Sequence, residues 1–70
     1  MFVHVSSGMN VPVSNFQQAS RTVRRFIDLK RLGISKWTGT GKVTEDGKVI
    51  AWVSYNGRVW EPDGKKEILL

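Results

Sequence analysis

The chain has 70 residues, 40% apolar and 24% charged, with no cysteine and a net charge of +5. These values fit one small globular domain over residues 1–70. They exclude a low-hydrophobicity disordered chain and a disulfide-stapled secreted fold. The absence of cysteine favours a reducing cytoplasm, no apolar stretch approaches the ~20 residues of a bilayer span, and no basic region precedes a long apolar run, so neither a membrane segment nor a signal peptide is expected.

Met1 to Ser7 alternates Val3 and Val5 with Phe2 and His4, the period of a short strand. His4 is the single histidine, and with no cysteine beside it no ordinary zinc site can form. Gly8 to Val13 reads as a connector, with Gly8, Asn10 and Pro12 as breakers. Ser14 is the predicted helix N-cap, with Gln17 completing a Ser-x-x-Gln capping box. From Asn15 the pattern turns helical. Phe16, Ala19, Val23, Phe26 and Ile27 fall on one stripe, and Gly33 is the predicted C′ stop behind Lys30 and Arg31. The opposite face carries Arg21, Arg24, Arg25, Asp28 and Arg31, with Arg24 and Asp28 spaced to pair.

Ile34 and Trp37 are expected to tuck under the domain. Gly39-Thr40-Gly41-Lys42 lacks the spacing of a phosphate loop, and a strand rather than a helix follows it. From Lys42 the chain reads as an antiparallel meander: Lys42 to Glu45, a turn at Asp46-Gly47, Lys48 to Tyr55, a turn at Asn56-Gly57, then Arg58 to Glu61. Asp63-Gly64 marks a third turn before a short stretch at Lys65 to Leu70. The fold class is α+β, one helix on a small antiparallel β-meander in the order β-α-β-β-β, with room for a further short C-terminal strand.

Two-residue turns fix an expected register. Tyr55 opposes Arg58, Ser54 Val59, Val53 Trp60 and Trp52 Glu61, while Thr44 opposes Val49 and Val43 Ile50. One face then carries Val43, Ile50, Trp52, Ser54 and Val59. The other carries Lys42, Thr44, Val49, Ala51, Val53, Tyr55, Arg58 and Trp60. A single helix cannot cover both. The helix is expected on the Val43/Ile50/Trp52/Val59 face, leaving the face with Tyr55, Arg58 and Trp60 open unless the sheet curls and Trp37 or Ile68-Leu69-Leu70 covers it. An open aromatic face on a small protein marks a partner surface.

No catalytic residues, cofactor site or metal site are read from the chain. It has one histidine and no cysteine, no nucleophile elbow, and little room for a pocket of ~300 Å³. Binding is the expected activity, with Tyr55, Arg58, Trp60, Arg21, Arg24, Arg25 and Arg31 as the candidate partner-binding residues. A basic balance of eleven Lys/Arg against six Asp/Glu suits an acidic protein surface or nucleic acid, and equally a plain basic exterior. In the nucleic-acid alternative the helix arginines track phosphates while the sheet aromatics stack on bases. A monomer and a homodimer are both compatible with the open face.

The stretch Ser54-Tyr55-Asn56-Gly57-Arg58-Val59-Trp60-Glu61, after a helix ending near Leu32-Gly33-Ile34-Ser35, resembles small proteins carried by phages and conjugative elements, anti-CRISPR proteins among them. The resemblance is one of size and architecture over the whole chain, with no diagnostic motif and no family residues to carry across. It implies an inhibitor that docks on a protein subunit, or a DNA-bearing surface, of a host defence effector complex in the bacterial cytoplasm. The basic charge departs from the acidic, DNA-imitating members of that type.

Overall fold

In the computed structural model, which describes residues 1–70, the meander over the second half of the chain provides the frame. Strands β3 (Lys42–Glu45) and β4 (Lys48–Val53) form a hairpin around Asp46-Gly47, both at positive φ as the tight turn requires. Strand β5 (Val59–Trp60) pairs with β4, and β6 (Glu67–Ile68) closes that edge. The N-terminal strand β1 (Phe2–Ser6) runs antiparallel to β3, so the first strand lies inside the sheet. The segment expected to be a connector instead supplies β2 (Met9–Pro12), folded back on β1 by Ser7-Gly8. Pro12 is tolerated there because β2 is an edge strand and needs no inward N–H at that residue. The sheet order is β2-β1-β3-β4-β5-β6, all antiparallel, with one helix, α1 (Phe16–Lys30), on one side. The α+β class holds, with one strand more before the helix than the sequence implies.

Both helix ends lie at other residues than expected. Asn15 is the N-cap: its side chain accepts from the Gln18 N–H at 2.7 Å, and Gln18 Oε1 in turn accepts from the Ser14 N–H. The reciprocal cap is therefore Asn15 with Gln18 rather than Ser14 with Gln17. At the other end Arg31, not Gly33, takes the left-handed conformation (φ 53°). The Leu32 N–H reaches Ile27 O and the Arg31 N–H reaches Asp28 O, so the last carbonyls are satisfied two residues before the glycine.

Two local irregularities decide which side of the sheet is buried. The first is a β-bulge in β4. Thr44 opposes Val49 as expected, but Val43 opposes Ala51 rather than Ile50. Ile50 is the extra residue, and Ala51, Trp52 and Val53 after it change side. The second is the Asn56-Gly57 turn. The Ser54 N–H bonds Arg58 O and the Gly57 N–H bonds Ser54 O, so the loop is Tyr55-Asn56-Gly57, three residues with Gly57 at φ 88°. This is a type I turn closed by a left-handed glycine, not the two-residue primed turn. Val59 consequently opposes Val53, and Trp60 opposes Trp52.

The helix side therefore carries Val3, Val43, Ala51, Val53 and Val59, all buried, against Ala19, Val23 and Ile27 of α1. With Val5 and Val13 these make a core of ten residues, seven of them valine. Small, β-branched side chains suit a sheet and let the helix approach closely. Phe16, Phe26, Trp37 and Ile68 pack at its margin. Ile34, expected underneath, is 72% exposed. Trp37 does tuck in, its indole N–H donating to Val5 O at 2.9 Å.

The Gly39-Thr40-Gly41 segment explains its own glycines. The Gly41 N–H donates to His4 O and Gly41 O accepts from the Val53 N–H, so this buried residue is wedged between two strands. A Cβ on Gly41 would lie 1.8 Å from Val53 O, and φ is +69°. His4 is held by the same segment, its Nδ1 accepting from the Thr40 N–H at 3.0 Å. No helix of the chain is long and apolar enough to cross a membrane.

Candidate interaction surfaces

The side of the sheet away from α1 has no second helix or sheet over it, and the loops at Thr40 and Pro62 reach its side chains. Its composition follows from the register, because opposed residues share a side. One row runs Lys42, Trp52, Trp60, Glu67 across β3 to β6, continued by the opposed His4 and Asn10 on β1 and β2. A second row runs Pro12, Phe2, Thr44, Val49. Phe2 is 48% exposed, and Trp52 and Trp60 are partly so. The Trp52 indole N–H donates to Pro62 O at 2.9 Å, and that of Trp60 to Ser54 Oγ at 3.3 Å. With both N–H groups committed inside the fold, what these rings present outward is aromatic surface.

Trp60 is the one expected hot-spot aromatic that lies on this open side. Trp52, expected under the helix, stands beside it, and Ala51 and Val53, expected in the open, are buried. Neither alternative cover reaches it: Trp37 lies on the helix side, Ile68 pairs with Val59 on that side too, and Leu69 and Leu70 stay exposed.

Tyr55 sits in the three-residue loop and faces the helix. Its hydroxyl donates to Leu32 O at 2.6 Å, its ring lies 6.2 Å from that of Trp37, and its carbonyl accepts from Arg24 Nη1 at 2.6 Å. The Arg24 guanidinium stands 5.4 Å from the Tyr55 ring centroid and also pairs with Asp28 at 2.9 Å, the i, i+4 pair anticipated from the spacing. Ser20 Oγ donates to Gly57 O beside it. Arg24 and Tyr55 thus form a latch that holds the β4–β5 loop against the helix flank. Arg58 is exposed at the same loop.

Arg21 and Arg25 project from the outer ridge of α1, away from the sheet. The ridge Arg21–Arg25–Leu29 and its neighbour Gln18–Thr22–Phe26 enclose a solvent-open groove of about 360 Å³. Arg31 is exposed at the helix end. The candidate residues therefore divide among an aromatic side (Trp60), a latch (Arg24, Tyr55), a loop tip (Arg58) and a basic ridge (Arg21, Arg25, Arg31). Phe2 and Trp52 belong to the aromatic side and were not expected there, whereas Val49 lies on it as expected. Pairing like with like, valine against valine and tryptophan against tryptophan, is the signal that would have found Trp52. No group of three or more His, Asp and Glu side chains is placed to hold a metal ion.

Comparison with family models, with curated proteins and with solved structures finds no match in any of the three.

Proposed function

We propose that the protein is a small non-enzymatic binding module whose open sheet side docks on a partner protein. Its specific form is an inhibitor of the anti-CRISPR type, acting on a host defence effector complex in the bacterial cytoplasm. The observation that carries the reading is the opposed, half-buried Trp52–Trp60 pair, with exposed Phe2 and Val49 on the same side of the sheet, a side without a helix over it. Tryptophan at the centre of an apolar surface is the residue type that dominates protein–protein binding energy. The charged groups of that side, Lys42 and Glu67, offset each other, which suits a protein surface better than a run of phosphates.

The test is a pull-down from bacterial lysate with nuclease and moderate salt, run with the native chain and with the W52A/W60A variant. A discrete, stoichiometric protein retained by the native chain and lost with the variant, at unchanged circular dichroism, supports the reading. Equal retention by the two overturns it. A nucleic-acid module that uses arginines and sheet aromatics in one footprint is disfavoured, because the arginine ridge and the tryptophans stand on opposite sides of the sheet.

A further inference from the structure

The charge of this protein is not spread evenly. Residues 16–31 hold five basic side chains (Arg21, Arg24, Arg25, Lys30, Arg31) and one acidic (Asp28), a surplus of four out of the whole chain's +5. The remaining residues are nearly balanced. Asp28 is spent on Arg24 in the single ion pair of the molecule, so Arg21, Arg25, Lys30 and Arg31 have no carboxylate partner. A bare cationic ridge repels itself and is stabilised by a polyanion.

We propose that the outer ridge of α1, centred on Arg21 and Arg25, binds the phosphate backbone of duplex DNA, as a surface separate from the sheet side. Three features select this occupant. Arginine rather than lysine dominates the ridge, and its planar fork matches phosphate oxygens in bidentate fashion. The ridge is a convex helix about 10–12 Å across, a shape that a B-form major groove about 12 Å wide admits and that the deep, narrow groove of A-form RNA does not. The aromatic platform that a single strand would need lies on the opposite side of the sheet. The latch at Arg24 and Tyr55 fixes the flank of the ridge, so its side chains project from a rigid support. The ridge arginines meet phosphate oxygens, so the binding tracks the backbone and is indifferent to sequence.

Fluorescence anisotropy on a labelled DNA duplex, titrated between about 50 and 200 mM salt, tests this. The native chain binds with a steep salt dependence. Arg25→Gln lowers the slope of log K against log salt by about 1, and R21Q/R25Q lowers it by about 2 and weakens binding at least tenfold. Both positions are exposed, and circular dichroism checks that the variants fold. W52A/W60A leaves DNA binding unchanged, so failure of the partner-protein reading and failure of this one are told apart. Unchanged affinity in R21Q/R25Q, loss of DNA binding in W52A/W60A, or equal affinity for a single strand or for polyglutamate of matched charge overturns the proposal.

Discussion

The two sides of this sheet are made from the same strands, and often from adjacent residues, yet they meet different surroundings. Val53 and Val59 oppose each other beneath the helix, while the next pair, Trp52 and Trp60, stands half-buried on the other side. The buried side is built from small aliphatics, the open side from the largest aromatics in the chain. Volume explains the division. A helix whose contact stripe is Ala19, Val23 and Ile27 fits closely over valine and alanine, and two tryptophans in that layer would hold it away. The open side has no such limit. The contrast teaches that the valine side pins the fold while the tryptophan side does not pack against the helix, so, on the proposed function, substitutions on the two should separate stability from binding.

The largest loss is expected at the seam that orients both sides. Gly41→Ala drives a Cβ into the Val53 carbonyl at 1.8 Å and strains a residue at φ +69°. The Val53 backbone cannot readily yield, because it belongs to β4. We expect about 4 kcal/mol of destabilisation, a fall of roughly 20 °C in Tm or outright loss of the cooperative transition. Calorimetry decides it, and a Tm within a few degrees of the native value would show that the strands are not packed as described. Next come the two sides themselves. Ile27→Ala empties a position only 2% exposed and should cost about 3 kcal/mol. Trp52→Ala on the open side should cost about 1 kcal/mol while abolishing partner capture. Equal costs in urea melts would erase the distinction between the sides.

Much of this architecture was legible in the residues. The apolar stripe of α1, the Asp46-Gly47 hairpin, the Arg24–Asp28 pair and the inward Trp37 follow from periodicity, turn chemistry and spacing. Val43 and Val59 face the helix as expected, but the facing of β4 after Ile50 was not legible, for a definite reason. Side chains alternate with period two, so any one-residue offset exchanges the sides. Two such offsets occur, at the Ile50 bulge and at the three-residue Tyr55-Asn56-Gly57 loop. An Asn-Gly step serves both the two-residue and the three-residue loop, and nothing local chooses between them. Tertiary packing chooses: the longer loop brings Tyr55 to Leu32 O and Arg24 to the Tyr55 carbonyl. Tyr55 and Arg24 have the composition of a binding site, but they are spent inside the fold. Strand β2 was hidden by its brevity and by Pro12, which only an edge strand accepts.

The same comparison extends to the arginines, at a smaller scale. Arg24 holds a backbone carbonyl, a carboxylate and an aromatic ring, whereas Arg25, one residue on, points into solvent. Arg24→Ala should cost about 1.5 kcal/mol, the hydrogen bond from a charged donor being discounted because its side chain is 36% exposed. Arg25→Ala should fall within about 0.5 kcal/mol of the native chain. Combined with Tyr55→Phe, Arg24→Ala should show a coupling of a few tenths to 1 kcal/mol in a double-mutant cycle, and Arg25→Ala none. If both arginines proved equally dispensable to the fold, the latch would have no energetic weight and Arg24 would rejoin the free ridge.

The smallest effect separates two adjacent residues at the start of α1. Asn15 and Ser14 are both good caps by type, and only the geometry distinguishes them. The Asn15 carboxamide oxygen accepts from the Gln18 N–H, while the Ser14 main chain merely donates to the Gln18 side chain. Asn15→Ala therefore leaves an N-terminal N–H of the helix without a side-chain partner and should lower stability by about 1 kcal/mol. Ser14→Ala removes a hydroxyl that bonds to nothing in the fold and should change stability by less than about 0.3 kcal/mol. Because the cap sits where β2 hands the chain to the helix, the Asn15 loss should also speed hydrogen exchange in the first turn ahead of the core amides. The reverse order, with Ser14 the costly position, would move the helix start back by one residue. The Arg21–Arg25 ridge would keep its direction, because Ala19, Val23 and Ile27 against the sheet set the rotation of the helix.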